Sequence, residues 1–207
     1  MPTDQTPAVL FRLPSSTEAG WLVCRRVQRG DADDLYQAVL ASLDHLRPWM
    51  AWVADGYTRQ EAEDFTIRHT STPRDAPVPG ASYAVRDRSG EFLGICGLHG
   101  RPGPGALEIG YWVDVRHARR GITTLAAAML TELALTLPGI QTVEIHHDQA
   151  NVASGAIPAK LGYTHVATEP DLREAPGDIG LDWRWVLHRN DYPASPAAHL
   201  LATVRTT

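Results

Sequence analysis

The stretch VDVRHARRGITT, residues 113–124, sets Arg116, Arg119, Arg120 and His117 around a single glycine. It lies where an apolar run hands over to a helical pattern. The chain as a whole is acidic, with a formal net charge of -5. Positive charge gathered at a strand-to-helix junction is suited to an anion. The first N–H groups of a helix have no partner within it. Together they carry about half a positive charge, and a phosphate satisfies both needs. Gly121 lets the backbone approach closely, and guanidinium forks match phosphate oxygens. The same residues would also serve as a solvated basic loop. Neither a Walker loop, with its Gly-Lys-Ser/Thr ending, nor a three-glycine dinucleotide fingerprint is present.

The elements that must hold this stretch are readable from periodicity. Residues 1–19 form an arm with little pattern. A strand follows over 21–28. Asp31 is placed to cap a helix through Leu43. Pro48 breaks regularity in HLRPWMAWV. Thr58 and Glu61 form a capping box for a helix to Thr70, and TPRDAPVPG is a loop. ASYAVRD and EFLGICGLHG make a hairpin turning at Arg88-Ser89-Gly90. In LEIGYWVDV, Leu107, Ile109, Tyr111 and Val113 share one face, and Glu108, Gly110, Trp112 and Asp114 the other. An apolar stripe from Ile122 to Leu137 marks a helix that stops at Pro138-Gly139. The strand TVEIHH, a short helix ending at Gly162, and two closing strands complete the order. In the last strand Ile179, Leu181, Trp183, Trp185 and Leu187 would face inward. The pattern implies one α/β domain with a mixed sheet.

Apolar residues make up 43% and charged residues 21% of 207, an ordinary globular composition. The acidic balance excludes general nucleic-acid binding. No apolar run reaches the ~20 residues of a membrane span, and no secretory signal is seen. Cys24 and Cys96 are expected reduced and buried, and the protein cytoplasmic.

LEIGYWVDVRHARRGITT, followed after the helix by VEIHHDQANVASGAIPAKLGY, resembles the core of the GNAT acetyltransferase superfamily. SLDHLRPWMAW and GICGLHGRPGPGALEIGYW extend the likeness to its RimJ/RimL branch. The resemblance covers Trp21 to Asn190. It implies a single GNAT-type domain over 20–190, between an arm (1–19) and a tail (191–207). The sheet would be mixed and mostly antiparallel, with about seven strands and about four helices, splayed at the acyl-CoA site. It also implies acetyl-CoA as cosubstrate, no metal, and acetylation of a primary amine on a protein N-terminus or a small molecule. A homodimer through the final strands is compatible with it. The family loop here reads Ala118-Arg119-Arg120-Gly121-Ile122-Thr123. Ala118 stands for the usual Arg or Gln, Arg119 for a common glycine, and Thr123 for a small residue. If the backbone at Arg119 is left-handed, a side chain there costs roughly 1 kcal/mol. These departures motivate two alternatives: a different acyl carrier, or a non-catalytic acyl-CoA-binding module.

Carried over residue by residue, the resemblance gives cofactor contacts to the backbone of Trp112, Val113 and Val115. It gives the anion to Arg119, Arg120, Gly121, Ile122, Thr123 and Thr124. Asn151 and Ser154 match the family's Asn-x-x-Ser. Asn151 also caps a helix, and Ser154 is either the acid for the leaving thiolate or a first-turn residue, with Tyr163 as a substitute. For the base the order is Glu108, His147 (beside Asp148), then Glu174, with His99, His146 and Glu169 behind. Trp49 and Trp52, at i and i+3, would wall the amine pocket together with Arg47 and His99. An α-amine of pKa about 7.8 is neutral at about 1 kcal/mol at pH 7, against about 4.6 for a lysine, so a site without a strong base favours weakly basic amines.

Overall fold

The computed structural model describes residues 16–53, 56–71 and 80–206. Residues 1–15 of the arm expected over 1–19, and nearly all of the TPRDAPVPG loop, lie outside them, and residues 16–19 of that arm form a strand instead. The strands are β1 (Ser16–Ala19), β2 (Leu22–Arg26), β3 (Gly80–Asp87), β4 (Phe92–His99), β5 (Ala106–Val113), β6 (Thr142–Asp148), β7 (Thr164–Pro170) and β8 (Leu181–His188). The helices are α1 (Ala32–Ala41), α2 (Leu43–Leu46), α3 (Arg59–Ser71), α4 (Ile122–Thr136), α5 (Val152–Leu161) and α6 (Pro196–Thr206). One sheet runs in the order β1-β2-β3-β4-β5-β6-β8-β7. Every neighbouring pair is antiparallel except β5 and β6. This is the expected single α/β domain, with one strand and two helices more than the pattern suggested.

The two faces of the sheet carry separate cores. Leu98, Leu107, Ile109, Val143, Ile145 and Leu187 pack with the apolar side of α4. Val27, Leu35, Val39, Val53 and Ile95 form the second core, beneath α1 and the turn after α2. The alternation predicted for LEIGYWVDV holds, because Tyr111 and Val113 pack on the first core and Trp112 on the second. The capping box of α3 is present: Thr58 N–H donates to Glu61 at 2.7 Å, and Glu61 N–H to the Thr58 hydroxyl at 3.2 Å. Cys24 and Cys96 are free thiols in the interior. Among the described residues no helix is long and apolar enough to cross a membrane.

Three expectations change. Asp31 does not cap α1 with its side chain. It is 1% exposed and accepts from Arg25 on β2 (2.9 Å), Arg86 on β3 (2.7 Å) and the Gln28 N–H (2.8 Å). Burial resists its charge, but these donors hold its carboxyl below the usual range. The helix expected through Leu43 breaks at Ser42, whose Oγ accepts the Val115 N–H at 2.9 Å. Ile179 is exposed rather than inward, because the Asp148 carboxylate draws the Ile179 and Gly180 N–H groups (both 2.9 Å) out of the strand.

The segment set apart as a tail is folded. α6 buries Ala197 and Leu201, and Arg205 grips Glu132 of α4 through two bonds of 2.9 and 2.6 Å. Gly20 and Gly162 leave room for it: a Cβ on either would lie 2.4 Å from Val204 or Pro196. Leu201→Ala should therefore lower the unfolding free energy by roughly 2 to 5 kcal/mol, read from urea denaturation. An unchanged midpoint would mean that α6 is dispensable.

Candidate active site

β5 pairs with β4 from Glu108 to Val113, but with β6 only from Ala106 to Glu108. Beyond Glu108 the two strands part. α5 and the loop before it stand at the opening, and two cavities meet there. One, of about 530 Å³, lies on the face bearing Gly97, His99, Glu108, Gly110 and Trp112. The other, of about 480 Å³, runs between Tyr111–Val113 and α5 to the 118–124 loop. Trp49, Met50, Tyr111, Trp112, Asn151 and Ser154 line both.

The floor of the first cavity follows from strand register. His99 faces Glu108, Gly97 faces Gly110, and Glu108 faces Glu144. The His99 ring lies over the glycines, where a Cβ would come within 3.1 Å (Gly97) or 3.2 Å (Gly110) of its Nε2. Burial, with Arg101 and His69 nearby, holds the His99 pKa at about 4, so the ring is neutral at pH 7. Glu108 is buried and ion-paired with Arg101. His146 is charged. Burial opposes this, yet its bonds to Asp182 (3.1 Å) and Glu144 (2.8 Å), with Glu108 nearby, push its pKa up to about 9.

His147 faces the other way, against Gly155 of α5. Its Nδ1–H donates to the Asp148 carbonyl (2.8 Å), and its Nε2 accepts from the Trp185 indole (3.0 Å). Burial lowers its pKa. The neutral ring has no free lone pair, which removes the ground for naming it a base. It is the Asp148 carbonyl that orients it, not the carboxylate.

The second cavity ends at the stretch from which the sequence reading began. Gly121 is the α4 N-cap with φ 78, and no side chain caps that helix. The first-turn N–H groups of Ile122, Thr123 and Thr124 thus have no helix partners, and those residues line the second cavity. Arg119 has φ 63, so the condition under which a side chain there costs energy is met, and it is the sole such non-glycine residue described. Arg119, Lys160 and His45 line the slot.

The sequence of residues 22–164 matches the family described as acetyltransferase (GNAT) domain. The chain belongs to the GNAT acetyltransferase family. Its acyl donor is acetyl-CoA. Several solved structures share the fold. RimJ from Mycobacterium smegmatis, in complex with CoA-disulfide, is 22% identical over 96% of this chain and 97% of its own, with a TM-score of 0.76. RimL, a ribosomal L7/L12 alpha-N-protein acetyltransferase in complex with coenzyme A, is 19% identical over 86% and 98%, with a TM-score of 0.71. MccE, the microcin C7 self-immunity acetyltransferase in complex with acetyl-CoA and AMP, is 16% identical over 84% and 98%, with a TM-score of 0.73. No curated protein matches the sequence.

The slot of this GNAT acetyltransferase fits such a donor: an unpaired strand edge at one end, uncapped helix N–H groups and cationic side chains at the other. Not every residue expected there takes part. Val115 lines neither cavity, since Ser42 takes its N–H. Arg116 is turned onto Asp114, fully buried, which it meets through Nε at 3.0 Å. Arg120 reaches His117 at 3.1 Å and also lines neither cavity. Arg47 lies outside both, 3.8 Å from Asp44. Tyr163 is core, its hydroxyl 2.6 Å from Thr131. Glu169 is exposed on β7, whereas Glu174 lines the first cavity at its rim. Trp49 and Trp52 both wall that cavity, and Trp52 leans on Trp112 with ring centroids 6.3 Å apart.

Two contributions were missed. Tyr111, read as strand core, donates from its hydroxyl to the Ser154 carbonyl (3.2 Å) and accepts from the Ser154 Oγ (3.3 Å). Lys160 gives no sign in sequence beyond its place in the last turn of a short helix. The His146 arrangement has a pH consequence. Its folded pKa is raised, so its contribution to stability is complete below about pH 6.5 and is lost as pH rises through about 9. Unfolding free energies of the wild type and His146→Gln should therefore differ most at pH 6 and converge near pH 10. A constant difference would overturn the charged assignment.

Proposed function

We propose that this enzyme acetylates a primary amine held in the 530 Å³ cavity, with Glu108 as base and Ser154 as acid. The observation that carries this reading is the shared wall. Tyr111, Trp112, Asn151 and Ser154 border both cavities, so a thioester in one slot meets an amine in the other. The donor supplies an activated acyl thioester. Trp112 and Val113 offer it the free strand edge. Arg119, Gly121 and the Ile122–Thr124 turn receive its phosphates. Ala118 and Thr123 also line the slot.

Glu108 takes the proton of the incoming ammonium, exchanging Arg101 for it. The neutral nitrogen forms the C–N bond as the C–S bond breaks, and the second proton it sheds on becoming an amide restores the Ser154 hydroxyl. The Ser154 hydroxyl protonates the departing sulfur, a modest demand for a thiolate of pKa about 8.5. Tyr111 fixes the Ser154 hydroxyl, and Asn151 fixes its backbone, accepting the Ser154 N–H at 3.1 Å. Trp49 and Trp52 wall the amine's carbon frame, and neutral His99 floors the pocket. RimL is a ribosomal L7/L12 alpha-N-protein acetyltransferase and MccE a microcin C7 self-immunity acetyltransferase, and a protein N-terminal amine or a small-molecule amine suits this site. Free interior cysteines fit the cytoplasm. A homodimer through the final strands would form at β7, an edge of the sheet.

Ser154→Ala should lower kcat by roughly 10 to 100-fold with KM for acetyl-CoA nearly constant, the mark of an interaction made in the transition state. An unchanged kcat would reduce Ser154 to a helix residue. Glu108→Gln should depress kcat/KM at pH 7 and recover in part at higher pH, where the amine loses its own proton. A pH profile parallel to the wild type's would remove Glu108 as base.

A further inference from the structure

The inference rests on the acyl-transfer reading and deepens it at the base. Glu108 and Glu144 stand side by side where β5 and β6 pair in parallel register, and both are buried. Two carboxylates sharing a site compete for a proton. His146 lies two residues beyond Glu144, on the same face of β6. Its Nε2 is 2.8 Å from the Glu144 carboxylate, and its Nδ1 is 3.1 Å from that of Asp182 on β8. An ionised carboxylate only accepts, so both ring nitrogens donate, and a ring that donates twice is an imidazolium.

The two cations of this corner are held differently. Arg101 meets Glu108 through one nitrogen, and its side chain is 67% exposed. His146 is bonded on both sides, and its side chain is 28% exposed. The first can swing away for an incoming ammonium; the second is fixed. The other groups around His146 do not replace it. Arg184 faces it from β8, but makes no ion pair among the described residues and lines neither cavity. His99 on β4 is neutral, with Arg101 and His69 of α3 nearby. Asp148, on the same face of β6, is taken by the N–H groups of Ala150, Ile179 and Gly180. In the loop after β7, Asp171 accepts the Leu172 N–H and Asp178 those of Glu174 and Ala175, while Glu174 stands exposed at the rim.

We propose that His146 is a positioning residue for acyl transfer: a fixed cation that neutralises Glu144 and Asp182, so that Glu108 stays ionised beside them and can exchange Arg101 for the acceptor's ammonium. Without that cation the field of the two neighbouring carboxylates holds a proton on Glu108, and the base meets the acceptor already occupied.

The test follows Glu108 in the full-length protein by NMR of isotope-labelled glutamate carboxylates, its signal assigned by its loss in Glu108→Gln. Removing the imidazolium makes the field at Glu108 more negative. In His146→Gln the Glu108 titration midpoint should therefore rise by about one pH unit. In the double variant His146→Gln, Glu144→Gln the cation and a carboxylate go together, and most of that rise should vanish. Loss of a mere brace between β6 and β8 would show no such rescue. An unmoved midpoint in His146→Gln overturns the proposal, as does a rise that the double variant keeps. Should His146→Gln not fold, Glu144→Gln decides: it leaves the cation with one carboxylate and should lower the Glu108 midpoint, and an unmoved midpoint again overturns the proposal. Thiol release from acetyl-CoA with Ala-Gln-Ala-amide bears on the acyl-transfer reading alone. An acidic limb of kcat/KM that does not follow the NMR midpoint across these variants would count against Glu108 as base and leave the charge pairing standing.

Discussion

The site depends on one unequal pairing. β5 is bonded along most of its length to β4, but to β6 over only three residue pairs. Buried backbone N–H and C=O groups need partners, so a strand edge released inside a protein calls for a ligand with amides of its own. The same separation admits Tyr111 and α5 to the gap and brings Ser154 to the wall between two cavities. Had β5 and β6 remained paired to Val113, the slot would be filled by sheet.

Charge is organised around this opening in an order that composition does not suggest. Four basic side chains crowd the stretch before α4, yet two arginines serve the fold. Arg116 neutralises buried Asp114, which also caps the turn through the Arg116 N–H, and Arg120 is bound to His117. The basic side chains that line the second cavity are Arg119, with Lys160 and His45 from elsewhere in the chain. On the acceptor side the two histidines of one strand have opposite states. His146 lies between carboxylates and is charged, and His147 lies between a carbonyl and an indole and is neutral. Neighbours on a strand point to opposite faces, so adjacency in sequence separates their environments.

Much of the fold was legible because it rests on local signals. The capping box at Thr58–Glu61, the hairpin, the two faces of β5 and the α4 stripe each need only nearby residues. So did the placement of Asn151 and Ser154 at the start of α5. The errors fall where distant partners decide. Asp31 looked like a cap until two strand arginines claimed it. Residues 191–207 looked like a tail because α6 is stabilised by α4, Gly20 and Gly162 rather than by its own pattern.

The sequence by itself determined the family, the α/β order, the helix start at Gly121 and the presence of Glu108 on the face with Gly110 and Trp112. These follow from backbone propensity, side-chain period and motif spacing, which act over a few residues. Only the tertiary structure decided which candidates touch the cavities. It set Val115, Arg47 and Arg120 aside, used up the lone pair of His147, and brought Tyr111 to Ser154 and Lys160 to the slot. A hydrogen bond or an ion pair is fixed by distance and direction in space, and those are set by how strands and helices pack, not by how far apart residues stand in the chain.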